Sequence, residues 1–210
     1  MKRLVLIIIL GVVPLAAASL VVFRSIAAKE GPSVSAEQEK EVSPKSAKSL
    51  QKKIDTVKKA NQAQDPQHKG ARVELSEAEL ESYVLYSLKE DIPVQIDSIK
   101  VQLAPGTIAS DTQLTFNSNS TTGNPMVDAF LGGTHNVFIK GKLAGEDGRG
   151  KFDLQEVRVD GIPVPKILIE TLIDKYVKPK YPQADLKEPF DLPWGIEEIT
   201  IGQGKATVVY

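Results

Sequence analysis

The stretch from Val157 to Val177, VRVDGIPVPKILIETLIDKYV, constrains the fold more than any other, because it turns an alternating strand into an amphipathic helix within a few residues. At 3.6 residues per turn, Pro165, Leu168, Ile169, Leu172, Ile173 and Tyr176 fall on one face and Lys166, Glu170, Thr171 and Asp174 on the other. Burying Leu168, Ile169, Leu172 and Ile173 would contribute about 1.5 to 3 kcal/mol each. The apolar face therefore needs a cover, and strand-rich sequence on both sides offers one. Two readings stay open: the helix is the ordinary core of an α+β domain, or it closes the wall of an apolar groove.

The flanking sequence supplies the sheet. Val73 and Leu75 alternate as a short strand, and Ser76-Glu77-Ala78-Glu79 has the form of a capping box opening a helix to about Leu88, with Leu80, Val84 and Leu88 inward. Val94 and Ile96 alternate, then the phase slips so that Ile99, Val101 and Leu103 continue, which predicts a bulge near Asp97 and Ser98. Pro105-Gly106 marks a turn into a strand with Ile108, Leu114 and Phe116. After a polar loop from Asn117 to Asn124 and a short helix at residues 125–131, a second hairpin runs from Val137, Ile139 and Leu143 through Asp147-Gly148 to Phe152, Leu154, Val157 and Val159. It slips phase between Leu154 and Val157. Two such slips predict a sheet bent by design. A last hairpin places Ile199 and Ile201 against Ala206, Val208 and Tyr210 across Gly202-Gln203-Gly204.

Upstream, Leu4 to Phe23 is twenty residues without a charge, following Lys2 and Arg3. As a helix it would reach about 30 Å, the thickness of a bilayer's hydrocarbon core. The expectation is a single-pass anchor with the carboxyl-terminal domain outside the cytoplasm. The alternative is a signal segment cleaved near Ala16-Ala17-Ala18, leaving a secreted protein. From Ala28 to Ala71 the composition is polar and reads as a tether. Within it Ala47, Leu50, Ile54 and Val57 recur at helical spacing among lysines, expected as a solvated, partly helical spacer or a basic helix lying on lipid. The expected organisation is thus an anchor or signal segment at 1–27, a tether at 28–71 and a folded domain at 72–210.

Charge and chemistry narrow the function classes. Residues 1–70 carry a net charge of +6 and residues 71–210 one of −7; an acidic domain repels phosphate backbones, so nucleic acid is not an expected partner. The chain has no cysteine, which removes disulfides and thiolate metal sites. His68 and His135 have no metal-ligand spacing. Gly202-Gln203-Gly204-Lys205 lacks the first glycine of a phosphate loop and has Ala206 where Ser or Thr is required, so it reads as a hairpin turn. No nucleophile, acid/base pair or cofactor box stands out, and an enzyme is not expected.

The order of parts, from VELSEAELESYVL through two long hairpins and VDGIPVPKILIETLIDKY to LPWGIEEITIGQGKATVV, resembles the exported lipid-binding proteins of the LmeA-like type and, more distantly, the membrane-anchored extracytoplasmic YpmS-like proteins. The resemblance covers residues 72–210. It implies a tubular lipid-binding (TULIP-like) architecture, in which a strongly curved antiparallel sheet wraps a long amphipathic helix and encloses a groove for the acyl chains of a phospholipid or similar lipid. The side chains that would form such a wall are Leu80, Val84, Leu88, Ile99, Val101, Leu114, Phe116, Val137, Ile139, Phe152, Leu154, Leu168, Leu172 and Tyr176. Periodicity alone is satisfied equally by a filled core, as in a non-enzymatic envelope scaffold or protein-interaction domain. A membrane-tethered, extracytoplasmic lipid-binding protein of a bacterial cell envelope is the reading that the resemblance implies.

Overall fold

The computed structural model describes residues 41–63, 70–88, 95–116, 133–174, 178 and 188–210. They form an α+β fold dominated by one large antiparallel sheet that does not close on itself. After a short strand β1 (Arg72–Ser76), four long strands make its main part: β2 (Gln95–Ala104), β3 (Thr107–Phe116), β4 (Gly133–Glu146) and β5 (Arg149–Val159) pair in that order as a meander. Both expected phase slips are present. β2 shifts register against β3 between Ile96 and Ser98, and β5 shifts against β4 so that Lys140 faces Glu156 while Gly141 faces Leu154. Each extra residue restores the inward phase, so that Ile99, Val101 and Leu103, and then Phe152, Leu154 and Val157, are buried on one face. The expected turns also form. Asp147 and Gly148 both have positive φ (50° and 76°), as a two-residue turn matched to strand twist requires.

Near its end β4 runs past the start of β3, whose Thr107 faces Lys142, and at Gly145 it meets Ile199 of β8 instead. β6 (Ile162–Pro163) and β7 (Phe190–Asp191) are short pairs on the far edge of β5, while β8 (Glu198–Ile201), β9 (Lys205–Val209) and β1 extend the sheet beyond Gly145. A side chain at Gly145 would place its Cβ 2.9 Å from Leu192 and 3.1 Å from the Ile199 amide, so this crossing needs glycine. The Gly106 N–H donates to Ile201 O and the Leu143 N–H to Gly106 O, which pins the corner.

Helix α1 (Pro44–Ala63) and helix α2 (Glu77–Ser87) pack against each other, and α2 also lies along β2. The capping box of α2 is intact: Ser76 Oγ accepts from the Glu79 N–H and the Glu79 carboxylate accepts from the Ser76 N–H. Two further glutamates of α2 close the open edge of β2. The Leu103 N–H donates to Glu77 Oε1 (2.6 Å) and the Val101 N–H to Glu81 Oε1 (2.7 Å). Four residues along a helix rise about 6 Å and two along a strand about 6.7 Å, so the carboxylates match every second amide. An edge that could recruit another strand is thereby blocked. Glu81→Ala is expected to leave the buried Val101 amide unpaired, costing about 1 to 3 kcal/mol. Faster hydrogen exchange at that amide would register it; unchanged protection would show that the carboxylate does not close this edge.

Helix α1 falls within the stretch expected to be a tether, and there the structure differs. Ala47, Leu50, Ile54 and Val57 are all buried, and Leu50, Ile54 and Val57 belong to the same core cluster as Leu80, Leu103 and Trp194. Neither a solvated spacer nor a helix lying on lipid describes this stripe, whose partners are protein. Ser43 starts the helix by accepting the Ser46 N–H (3.2 Å), and Pro44 sits where a missing N–H costs nothing. The folded unit therefore includes residues from at least Pro44.

The expected amphipathic helix starts where its spacing places it. The Asp160-Gly161 turn (φ 50° and 79°) folds β6 back on β5, helix α3 spans Lys166–Leu172, Ile173 and Asp174 continue it as a wider turn, and residues 175–177 lie outside the described residues. Ile169 and Ile173 are buried, Leu168 is half-buried and Pro165 is exposed. The longest helix among the described residues is α1, and it shares the interior with Ile169 and Ile173 of α3. Among the described residues no helix is long and apolar enough to cross a membrane; Leu4–Phe23, the helix at 125–131 and His68 lie outside them.

Candidate functional site

An apolar cavity of about 50 Å³ lies between α1 and the β1–β9–β8 end of the sheet. Ile54 and Val57 come from α1, Leu80 from α2, Leu103 and Ile108 from the two sides of the Pro105-Gly106 hairpin, and Ile199, Ile201, Ala206 and Val208 from β8 and β9. Val73, Leu75, Ile196 and Trp194 complete it, and no polar atom faces the space. Lys53 borders it through its methylenes alone, since its ammonium is drawn to Glu79 (2.6 Å) and Glu74 O (2.9 Å).

Trp194 shapes one end. It belongs to a short 3-10 turn, Pro193–Gly195, and has a left-handed backbone (φ 59°, ψ 30°), unusual for a bulky residue and costing about 1 to 3 kcal/mol. The surroundings hold it there. Lys58 Nζ lies 4.9 Å from the ring centroid, the Asn61 side chain crowds Gly195, and the Leu192 N–H donates to Gly148 O. The indole is 8% exposed.

Of the side chains expected to form a groove wall, Leu80 alone borders this cavity. Val84, Leu88, Ile99, Val101, Leu114, Val137, Ile139, Phe152 and Leu154 are buried in the same core cluster, Val84 and Leu88 from α2 and its cap and the others from the inner face of the β2–β5 meander. Leu168 is half-buried. The side chains of Phe116 and Leu172, and residue Tyr176, lie outside the described residues. The inner face carries a feature that periodicity does not reveal: Ser110, facing Val101 and Ile139 in register, is 2% exposed and its hydroxyl has no hydrogen-bond partner among the described residues.

No family model, curated protein or solved structure matches this chain.

Polar groups gather at the opposite end of the sheet from the cavity. His135 Nδ1 lies 2.7 Å from Asp160 Oδ2, the Asn136 N–H donates to Asp160 Oδ1 (2.8 Å), and Asn136 Nδ2 donates to Asp111. The hydrogen bond from His135, helped by the Asn136 amide, holds the Asp160 carboxyl below the usual carboxylate range. These bonds fasten the Asp160-Gly161 turn to β4. Among the described residues no three His, Cys, Asp or Glu side chains are grouped to hold a metal.

Proposed function

We propose that this chain is a membrane-tethered, extracytoplasmic lipid-binding protein, with an acyl tail sheltered against the apolar interior of the domain. The observation that carries this reading is the cavity with a wholly apolar wall, because hydrocarbon asks for no hydrogen bond and a polar ligand would find none there. The uncharged twenty-residue segment Leu4–Phe23 supports the tether, and the resemblance to exported lipid-binding proteins supports the ligand class. At about 50 Å³ the cavity is a third of the roughly 150 Å³ that admits benzene in an engineered protein core. A tail therefore enters by displacing part of the wall, and the strained Trp194 turn is the segment we assign to that movement.

A second reading is favoured by the same small volume: a non-enzymatic envelope scaffold whose closely filled core takes no ligand. The two separate in one experiment. Residues 41–210, which contain the whole described core, are purified from cells and extracted with organic solvent for mass spectrometry. About one phospholipid or fatty acid per chain is the expected result, and folded, lipid-free protein would favour the scaffold. Ala206→Leu, which fills the cavity from β9, is expected to abolish that lipid while leaving the circular dichroism unchanged. Trp194 is the chain's single tryptophan, so brominated fatty acid should quench its fluorescence in the native domain and not in the filled variant.

A further inference from the structure

The described residues leave four large apolar side chains exposed: Val42 (38%), Tyr86 (51%), Ile162 (63%) and Ile167 (70%). They are far apart in sequence, but the hydrogen-bond register brings them to one end of the molecule. Tyr86 is five residues, about 7.5 Å of helix, beyond Glu81. Glu81 contacts Val101 of β2, and the same distance along the strand is about two residues, which reaches Ile99. Ile99 faces Thr112, Thr112 faces Val137, Val137 faces Val159, and Val159 faces Ile162. Tyr86 and Ile162 thus stand at one level on opposite edges of the meander, four strand spacings or about 19 Å apart.

The other two follow. The Ser43 N–H donates to Ser82 Oγ and Ser49 Oγ to Glu79, so α1 runs antiparallel to α2 and Val42 leaves it toward Tyr86. After Pro163 the chain turns back along β5, the Val164 N–H donating to Val157 O, so Ile167 is set behind Ile162 at the start of α3. Val42 and Tyr86 on one side and Ile162 on the other therefore flank the end of the inner face that lies away from the corner at Gly106, with Ile167 next to it.

Where the rest of the chain attaches decides what meets this end. Residue 41 is here, and residues 24–40, even fully extended, span at most about 60 Å from the apolar segment Leu4–Phe23. We infer that this end is a membrane-docking face, with Val42 and Tyr86 on one side and Ile162 and Ile167 on the other seated in the boundary between lipid headgroups and acyl chains. The inference rests on the reading of Leu4–Phe23 as an anchor, and goes beyond it by giving the domain an orientation on the bilayer. Lys45 and Lys166 at this end are outnumbered by Glu41, Asp97, Asp160 and Glu170, so docking rests on the apolar side chains at its edges and needs no anionic lipid.

The absence of cysteine makes the test direct. Full-length chain carrying Ile162→Cys, Ile167→Cys or Tyr86→Cys is labelled with an environment-sensitive fluorophore and reconstituted into phosphatidylcholine vesicles containing doxyl-labelled lipid. Glu146→Cys serves as reference; it is exposed and nine strand residues, about 30 Å, from the Val137 level. Labels at 162, 167 and 86 are expected to be blue-shifted and quenched several-fold more than the label at 146. Equal, water-like signals from all four in protein that floats with the vesicles would overturn the docking face while leaving the anchor standing. Failure of the full chain to float would overturn the anchor and the docking face together, whereas the lipid content of residues 41–210 is read independently.

Discussion

Glu79→Ala is expected to lower the stability of the domain by about 3 to 5 kcal/mol, the cost of breaking a buried ion pair on one side. The Glu79 side chain is fully buried, and its carboxylate is shared among three segments. It accepts from Ser49 Oγ (2.7 Å) and Lys53 Nζ (2.6 Å) on α1, and from the Ser76 N–H (3.0 Å) at the end of β1. Alanine removes the capping box and the Glu79 link between α1 and α2 in one step, leaving the Ser43–Ser82 hydrogen bond and the apolar packing between them. It leaves the Lys53 ammonium, 22% exposed, without this carboxylate beside an apolar cavity. Glu79→Gln keeps an acceptor for the Ser76 amide and loses only the charge, so it should fall between wild type and alanine. The double variant Lys53→Met, Glu79→Leu should recover most of the loss, because matched apolar groups do not need the pair. Urea unfolding of the four proteins measures this; a loss under 1 kcal/mol for Glu79→Ala would show that the carboxylate is not what joins the two helices.

That carboxylate also illustrates how much of the fold was legible. Ser76-x-x-Glu79 announces a helix start by local chemistry, and the start forms as expected. Nothing local announces that Glu79 also binds Ser49 and Lys53, thirty and twenty-six residues earlier. The hairpins were legible for the same reason as the cap, since a turn at Asp147-Gly148 and a slip from Leu154 to Val157 are written within a few residues of the structure they cause. Both bulges were located from phase alone.

What was not legible depends on distant pairing. The apolar residues of Val157–Val177 mark a helix correctly, but a wheel cannot say that α1 would join it in the interior. Among the described residues the expected wall side chains are all buried except Leu168, as periodicity requires, yet only Leu80 of them borders the cavity beside α1. It opens where α1, Trp194 and β8–β9 meet, and those segments are brought together by pairings such as Arg72 with Val209. Trp194 was visible only as part of LPWGIEEITIGQGKATVV. Its left-handed backbone was not, because proline before and glycine after fit several turn geometries.

Leu50→Asp decides whether α1 belongs to the core or to a tether, and it is expected to prevent the domain from folding. Leu50 is 1% exposed and sits one turn before Ile54, against α2 and among the apolar side chains of the main cluster. Placing a carboxylate there removes about 2 to 5 kcal/mol of packing, judged by the leucine-to-alanine range. The desolvated charge adds a further penalty of several kcal/mol. Together these equal or exceed the 5 to 15 kcal/mol that stabilises an ordinary domain at the lower end of its range. Lys48→Asp, two residues away and so on the opposite, exposed face, changes the same helix without touching the core and should shift stability by no more than about 0.5 kcal/mol. A tether would tolerate both substitutions equally, so a native-like thermal transition in Leu50→Asp would return α1 to the solvent. Loss of the transition in that variant alone requires α1 in any fragment used to look for lipid, because its absence would strip Ile54 and Val57 from the cavity wall and empty the site by construction.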